Sequence, residues 1–166
     1  MTDSVSGSIV LTGVGATMVS DLWCFLRKRL FAVPLPNYGL VGRWFAHMAR
    51  GRFFHDSIAA AAPVTGERAI GWITHYLIGV AFALVLLLCA GAQWFHHPTV
   101  APAILVGIGT AVAPFFVMQP AMGAGLAASR TPHPSAARFH SLVMHTIFGI
   151  GLYVTARLVC SLTSGG

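Results

Sequence analysis

Acidic residues are nearly absent from this chain: four Asp and Glu stand against ten Lys and Arg, and charged residues of both signs make up only 8% of 166. So few charges cannot give a soluble domain of this size a polar skin. With 56% hydrophobic residues and a mean hydropathy of +0.76, the composition is that of a membrane protein. Cysteine is also scarce. Cys24, Cys89 and Cys160 form no CxxC, which argues against a disulfide oxidase. Cys89 and Cys160 fall toward one end of the membrane and Cys24 toward the other, and the plainer reading is three packed thiols. An HExxH pair, a GxSxG elbow and a GxxxxGK loop are all missing, so metalloprotease, serine hydrolase and nucleotide-hydrolysing chemistries are disfavoured.

What the chain has in abundance is long apolar runs. Ile9 to Leu26, Ala69 to Ala92, Val100 to Ser129 and Phe139 to Cys160 each suit a bilayer crossing of roughly 20 residues. They predict an all-α polytopic membrane protein, with four transmembrane helices over about 9–26, 69–92, 100–129 and 139–160 in one transmembrane domain, 1–166. The first run has no basic n-region and no small-residue cleavage site, so it reads as a retained helix and not a signal peptide. Arg27, Lys28, Arg29, Arg43, Arg50, Arg52 and Arg68 follow the first run, and Arg130 and Arg138 follow the third. Nine of the ten basic residues therefore share one side. By the positive-inside rule that side is cytoplasmic, with both termini and the Gln93 to Thr99 loop outside. Arg157, the tenth, is close enough to a helix end to snorkel to the outer interface. The net charge of +6 thus marks orientation, and nucleic acid is not an expected partner.

An internal repeat is visible in the glycines. Gly13-Val14-Gly15-Ala16-Thr17 resembles Gly107-Ile108-Gly109-Thr110-Ala111, and His75 to Gly79 resembles His145 to Gly149. The offsets are 94 (107 minus 13) and 70 (145 minus 75), and the longer first cytoplasmic loop absorbs the difference. The expected architecture is two tandem hairpins, a 2+2 parallel pseudo-repeat. Gly13, Gly15, Gly79, Gly107, Gly109 and Gly149 are its expected packing positions. The third helix, punctuated by Pro102, Pro114 and Pro120, is expected to be kinked or broken around Met118 to Gly125. In the cytoplasmic interfacial loop, 31–68, a helix around Tyr38 to Met48 is expected to lie on the inner leaflet, its arginines toward anionic lipids.

Three polar residues count to one depth. His75 is seven residues inside Arg68, His145 seven inside Arg138, and Asp21 six before Arg27, which puts each about 10 Å in. Ionisable groups there are functional suspects, and Asp21, His75 and His145 are expected to converge, with Tyr76 and Gln119 lining the same path. A carboxylate beside an imidazole suits a proton-linked carrier with no cofactor. The same two imidazoles and carboxylate also make a ligand set for a divalent metal, and two opposed histidines suit haem. A third alternative is purely structural hydrogen bonding between helices. His47, His55, His96, His97, His133 and His140 fall in loops or near interfaces and read as solvated.

Asn37-Tyr38-Gly39-Leu40-Val41-Gly42-Arg43-Trp44, Arg50-Gly51-Arg52-Phe53, Gln119-Pro120-Ala121-Met122-Gly123-Ala124-Gly125 and Ala128-Ser129-Arg130-Thr131-Pro132 resemble an uncharacterised family of small bacterial inner-membrane proteins. That resemblance covers nearly the whole chain. It implies a multi-pass protein of the bacterial inner membrane with periplasmic termini, and brings no established activity. The leading expectation is a small carrier or permease component; the alternatives are a haem- or metal-binding membrane protein and a non-catalytic assembly partner. Four helices make a narrow bundle, so transport would call for a homodimer.

Overall fold

The computed structural model describes residues 2–164, which are mostly helical with no strand among them. Four helical spans are long and apolar enough to cross a membrane: Val5–Phe31, Glu67–Ala90, Val100–Ala121 and Pro134–Thr163. Their surfaces carry bare leucine, Leu77, Leu88, Leu105 and Leu158 among them, as suits a surface solvated by acyl chains and not by water.

Local chemistry sets the ends of the helices. Helix α1, Thr2–Phe31, keeps Lys28 and Arg29 in its last turn, where the helix dipole favours cations, and stops at Ala32 with φ +53°. After the 11-residue α2, Tyr38–Met48, helix α3 spans Glu67–Ala90. It ends where Gly91, at φ +77°, returns its N–H to Leu87 O at 2.8 Å. Short α4, Gln93–His96, leads to α5, Val100–Gly109. A π-helical stretch, Pro114–Met118, then passes into the three-residue α6, Gln119–Ala121. Helix α7, Pro134–Ser164, opens on a proline, whose missing N–H costs nothing in a first turn. The third run therefore ends about eight residues earlier than its apolar composition implied (129 minus 121). Gly123, Gly125, Ala127 and Ala128 all take positive φ, which no helix continues through.

Packing groups the chain into two compact units. One gathers the stretch up to Leu35, Tyr76–Thr110, and the chain from Met144 onward. Its core is Ala16, Ala83, Leu86, Trp94, Phe95, Ala103, Phe148, Leu152 and Ala156. The helices here touch backbone to backbone. A Cβ on Gly13 would stand 2.5 Å from Val80 Cα, and one on Gly107 would stand 2.5 Å from Gly149 Cα. Gly15 faces the Thr155 side chain. Gly109, expected among these contacts, is not at one: nothing lies within 4 Å of its Cβ position. The second unit comprises Pro36–His75 and Ala111–Val143, and it packs around Trp44, Ile58 and Ala121.

In the second unit α2 lies tight on the first turns of α3. A side chain on Gly42 would run into Glu67 O, and one on Gly71 into Tyr38 O. Asn37 caps α2 by accepting from Gly39 N–H at 3.1 Å. The irregular stretch from Ala49 to Gly66 has few ladder partners for its carbonyls, and Arg43 supplies them. Its Nη1 donates to Ile58 O at 3.2 Å, Ala59 O at 3.2 Å and Ala61 O at 2.9 Å. The rest of the guanidinium grips Glu67 in a fork, Nε to Oε2 and Nη2 to Oε1, both at 2.8 Å. That hydrogen-bonded carboxylate holds the Arg43 pKa above its usual value, against the opposing effect of burial. The expectation that the arginines of α2 face lipid is thus corrected for Arg43, which is 8% exposed and spent on the protein itself.

Candidate functional site

Asp21, the one acid well inside a span, sits on α1, and Tyr76 sits one residue past His75 on α3. The Tyr76 hydroxyl donates to Asp21 Oδ2 at 3.0 Å, so a donor meets the carboxylate where water is scarce. The pair belongs to the first unit.

His145 lies in the same unit, on α7, a helical turn before Gly149. Its Nδ1 is 2.8 Å from Thr110 Oγ1, and that hydroxyl donates its hydrogen to Gly107 O at 2.6 Å. A hydroxyl has a single hydrogen. With it committed to Gly107, His145 Nδ1 must be the donor in the other contact, and the neutral ring keeps its lone pair on Nε2. The tautomer is assigned from this network. Phe82 flanks the ring, with centroids 6.3 Å apart.

His75 and Gln119 belong to the second unit. The His75 ring stacks on Tyr38 of α2, centroids 4.1 Å apart at 24°, and meets Trp72 edge-on at 5.9 Å. Tyr38 and Trp72 pack edge to face at 4.7 Å. Gln119, where the π-helical stretch gives way to α6, buries an Oε1 that has no hydrogen-bond partner. Single π turns recur at functional sites. The structure thus joins Asp21 to Tyr76 directly, sets His145 against Thr110 and Phe82, and stacks His75 on Tyr38. Among the described residues no three His, Cys, Asp or Glu side chains gather closely enough to hold a metal ion. None of the described cysteines is in a disulfide. Cys24 Sγ lies 3.7 Å from Met144 Sδ, and Cys160 donates to His96 O at 3.1 Å.

Two histidines correct the sequence reading. His47 and His55, expected to be solvated, are only 7% and 6% exposed. His47 Nδ1 and His55 Nε2 lie 2.8 Å apart. The signal was the spacing in α2: Leu40, Arg43, Trp44 and His47 fall at i, i+3, i+4 and i+7, one face of a helix. Arg43 and His47 on that stripe hid it. His55 is held below the ordinary imidazole pKa, first by burial and then by repulsion from Arg52 and His47, with the nearby Ala121 backbone carbonyl opposing.

A family model described as "Protein of unknown function (DUF2938)" matches residues 10–159. No curated protein and no solved structure matches the chain.

Proposed function

We propose that this chain, which belongs to the DUF2938 family of proteins of unknown function, is a small proton-linked carrier or permease component of the bacterial inner membrane. The observation that carries the proposal is the Tyr76–Asp21 hydrogen bond inside apolar spans. A carboxylate in such a place is costly unless it does work, and a phenol donor lets it hold or release a proton without losing its partner. His145 supports the same chemistry. Its Nδ1–H is committed to Thr110, so Nε2 is left to accept a proton. The matched contacts Gly13 to Val80 and Gly107 to Gly149 support two tandem hairpins as the frame. In this reading the basic loops face the cytoplasm and anionic lipid, the termini are periplasmic, and two copies assemble.

The test is proton flux into proteoliposomes carrying a pH-sensitive dye, under an imposed gradient. Asp21→Asn should reduce flux at least tenfold, and Tyr76→Phe should reduce it less. Unchanged flux in a folded Asp21→Asn protein overturns the proposal.

The fixed tautomer of His145 favours one second reading. An imidazole held through Nδ1 presents Nε2 as a metal ligand in the way ligating histidines do, so His145 could instead serve as a haem or metal ligand. An absorbance spectrum after haem addition separates the two: a Soret band lost in His145→Ala supports this second reading.

A further inference from the structure

The second unit holds a titratable pair that the carrier chemistry does not use. His47, on α2, and His55, on the irregular stretch beyond it, are both buried, with ring centroids 5.0 Å apart at 27° and nitrogens 2.8 Å apart. Only one of those two nitrogens can carry hydrogen, because two N–H groups at that distance repel. The remaining nitrogen of His55, Nδ1, is buried without a partner.

The stretch carrying His55 is tied down on two sides. Its own amide donates to Ala121 O at 2.9 Å, and Ile58 N–H donates to Met122 O at 3.0 Å. Gly123 takes φ +94°, and any Cβ there would run into Asp56 O. On the α2 side, Trp44 Nε1 donates to Phe53 O at 2.9 Å. The imidazole pair closes this arrangement.

We propose that the His47–His55 pair is a pH-operated clasp. It holds the Arg52 to Ile58 stretch against α2 and against the Ala121 to Gly123 turn while both rings are neutral, and releases that stretch when they take up protons. The surroundings fit this role. From α2 come His47 itself and Arg43, whose charge is spent on Glu67 of α3. The irregular stretch supplies Arg52, which opposes a second positive charge on His55, and the exposed Asp56. The Ala121 to Gly123 turn brings no titratable side chain. A first proton on His55 is buried beside Arg52, whereas one on His47 is drawn by the Glu67 carboxylate and leaves the N–H to N bond in place. A second proton sets N–H against N–H. That second step favours opening, and it does not depend on the carrier reading.

The test is amide exchange of the full-length protein in detergent between about pH 7.5 and 5, followed at positions 55 and 58 and corrected for the intrinsic pH dependence. In wild type, protection should fall by up to about tenfold per pH unit for each proton taken up. A His47→Asn, His55→Gln double variant puts a non-titrating amide pair at the Nδ1 and Nε2 positions, and should keep its protection. Constant protection in wild type, or an equal loss in both proteins, overturns the clasp. Should the double variant not fold, ¹⁵N-imidazole spectra of wild type decide. A His55 ring that stays neutral well below the ordinary value of about 6.5, then charges as protection is lost, supports the proposal. Independent titration at the ordinary value overturns it.

Discussion

The two units of this protein solve the backbone problem in opposite ways. In the first, the chain is mostly regular helix, and within its helices a carbonyl accepts from the N–H four residues along. Side chains need only be small enough to let helices meet, as Gly13, Gly107 and Gly149 are, and the hydroxyls of Thr17 and Ser20 turn back on their own helix, to Gly13 O and Ala16 O, while that of Thr12 is buried without a partner. In the second unit some 18 residues between α2 and α3 (49–66) lack a helical ladder, so polar side chains must do its work. Arg43 reaches 15 to 24 residues along the chain to do so. Regular backbone asks for absence of bulk, whereas irregular backbone asks for donors in fixed places.

That contrast can be broken at its strongest point first. Arg43→Ala should cause the largest loss, removing three carbonyl partners and the Glu67 fork together, and should abolish the monodisperse folded peak in gel filtration. Arg43→Lys should not rescue it, since an ammonium cannot grip a carboxylate through two nitrogens and still reach the Ile58, Ala59 and Ala61 carbonyls. In the first unit the sensitive variable is volume. Gly107→Ala and Gly13→Ala should each cost about 1–3 kcal/mol in detergent unfolding, because the backbone they meet cannot yield. Thr110→Val should cost about 1–3 kcal/mol by stranding His145 Nδ1, with Thr110→Ser close to wild type.

Acid should separate the units further. Folding favours neutral His55, whose pKa is depressed by burial and by Arg52 and His47. Its contribution is therefore fully present above the unfolded imidazole value of about 6.5 and is lost as pH falls below it. Thermal unfolding at pH 5.5 and 7.5 in wild type and in the His47→Asn, His55→Gln protein measures this difference. The smallest effect should be a gain. Gly109→Ala, with open space at its Cβ position, should stabilise by about 0.5–1 kcal/mol through helix propensity. A loss there would mean that a contact covers Gly109 in the assembled protein.

The four spans were legible because apolar run length is a property of the sequence alone, and the α2 helix at Tyr38 to Met48 was legible from its aromatic and basic pattern. The ends were not. The third run stayed apolar through Leu126 to Ala128, but backbone conformation left the helix at Gly123, and alanines at positive φ give no sign in composition. The fourth helix started earlier than Phe139, since its first five residues run from Pro134 to Arg138, which hydropathy discounts. Among the candidate residues, Asp21 was visible as the lone acid in a span, while its hydroxyl partner Tyr76 stood beside the more conspicuous His75. Arg43 was read as facing lipid and His47 and His55 as solvated, because the sequence does not say which face of a short helix turns inward.

The second unit is also assembled from two distant pieces of chain, and this imposes an order on its biogenesis. The Arg43 fork closes within 24 residues, from α2 to Glu67, and can form as soon as the start of the second span leaves the ribosome. The bond from His55 to Ala121 joins residues 66 apart (121 minus 55) and must wait for the third span. Until the third span is made, the Arg52 to Ile58 stretch therefore has only its bonds on the α2 side available.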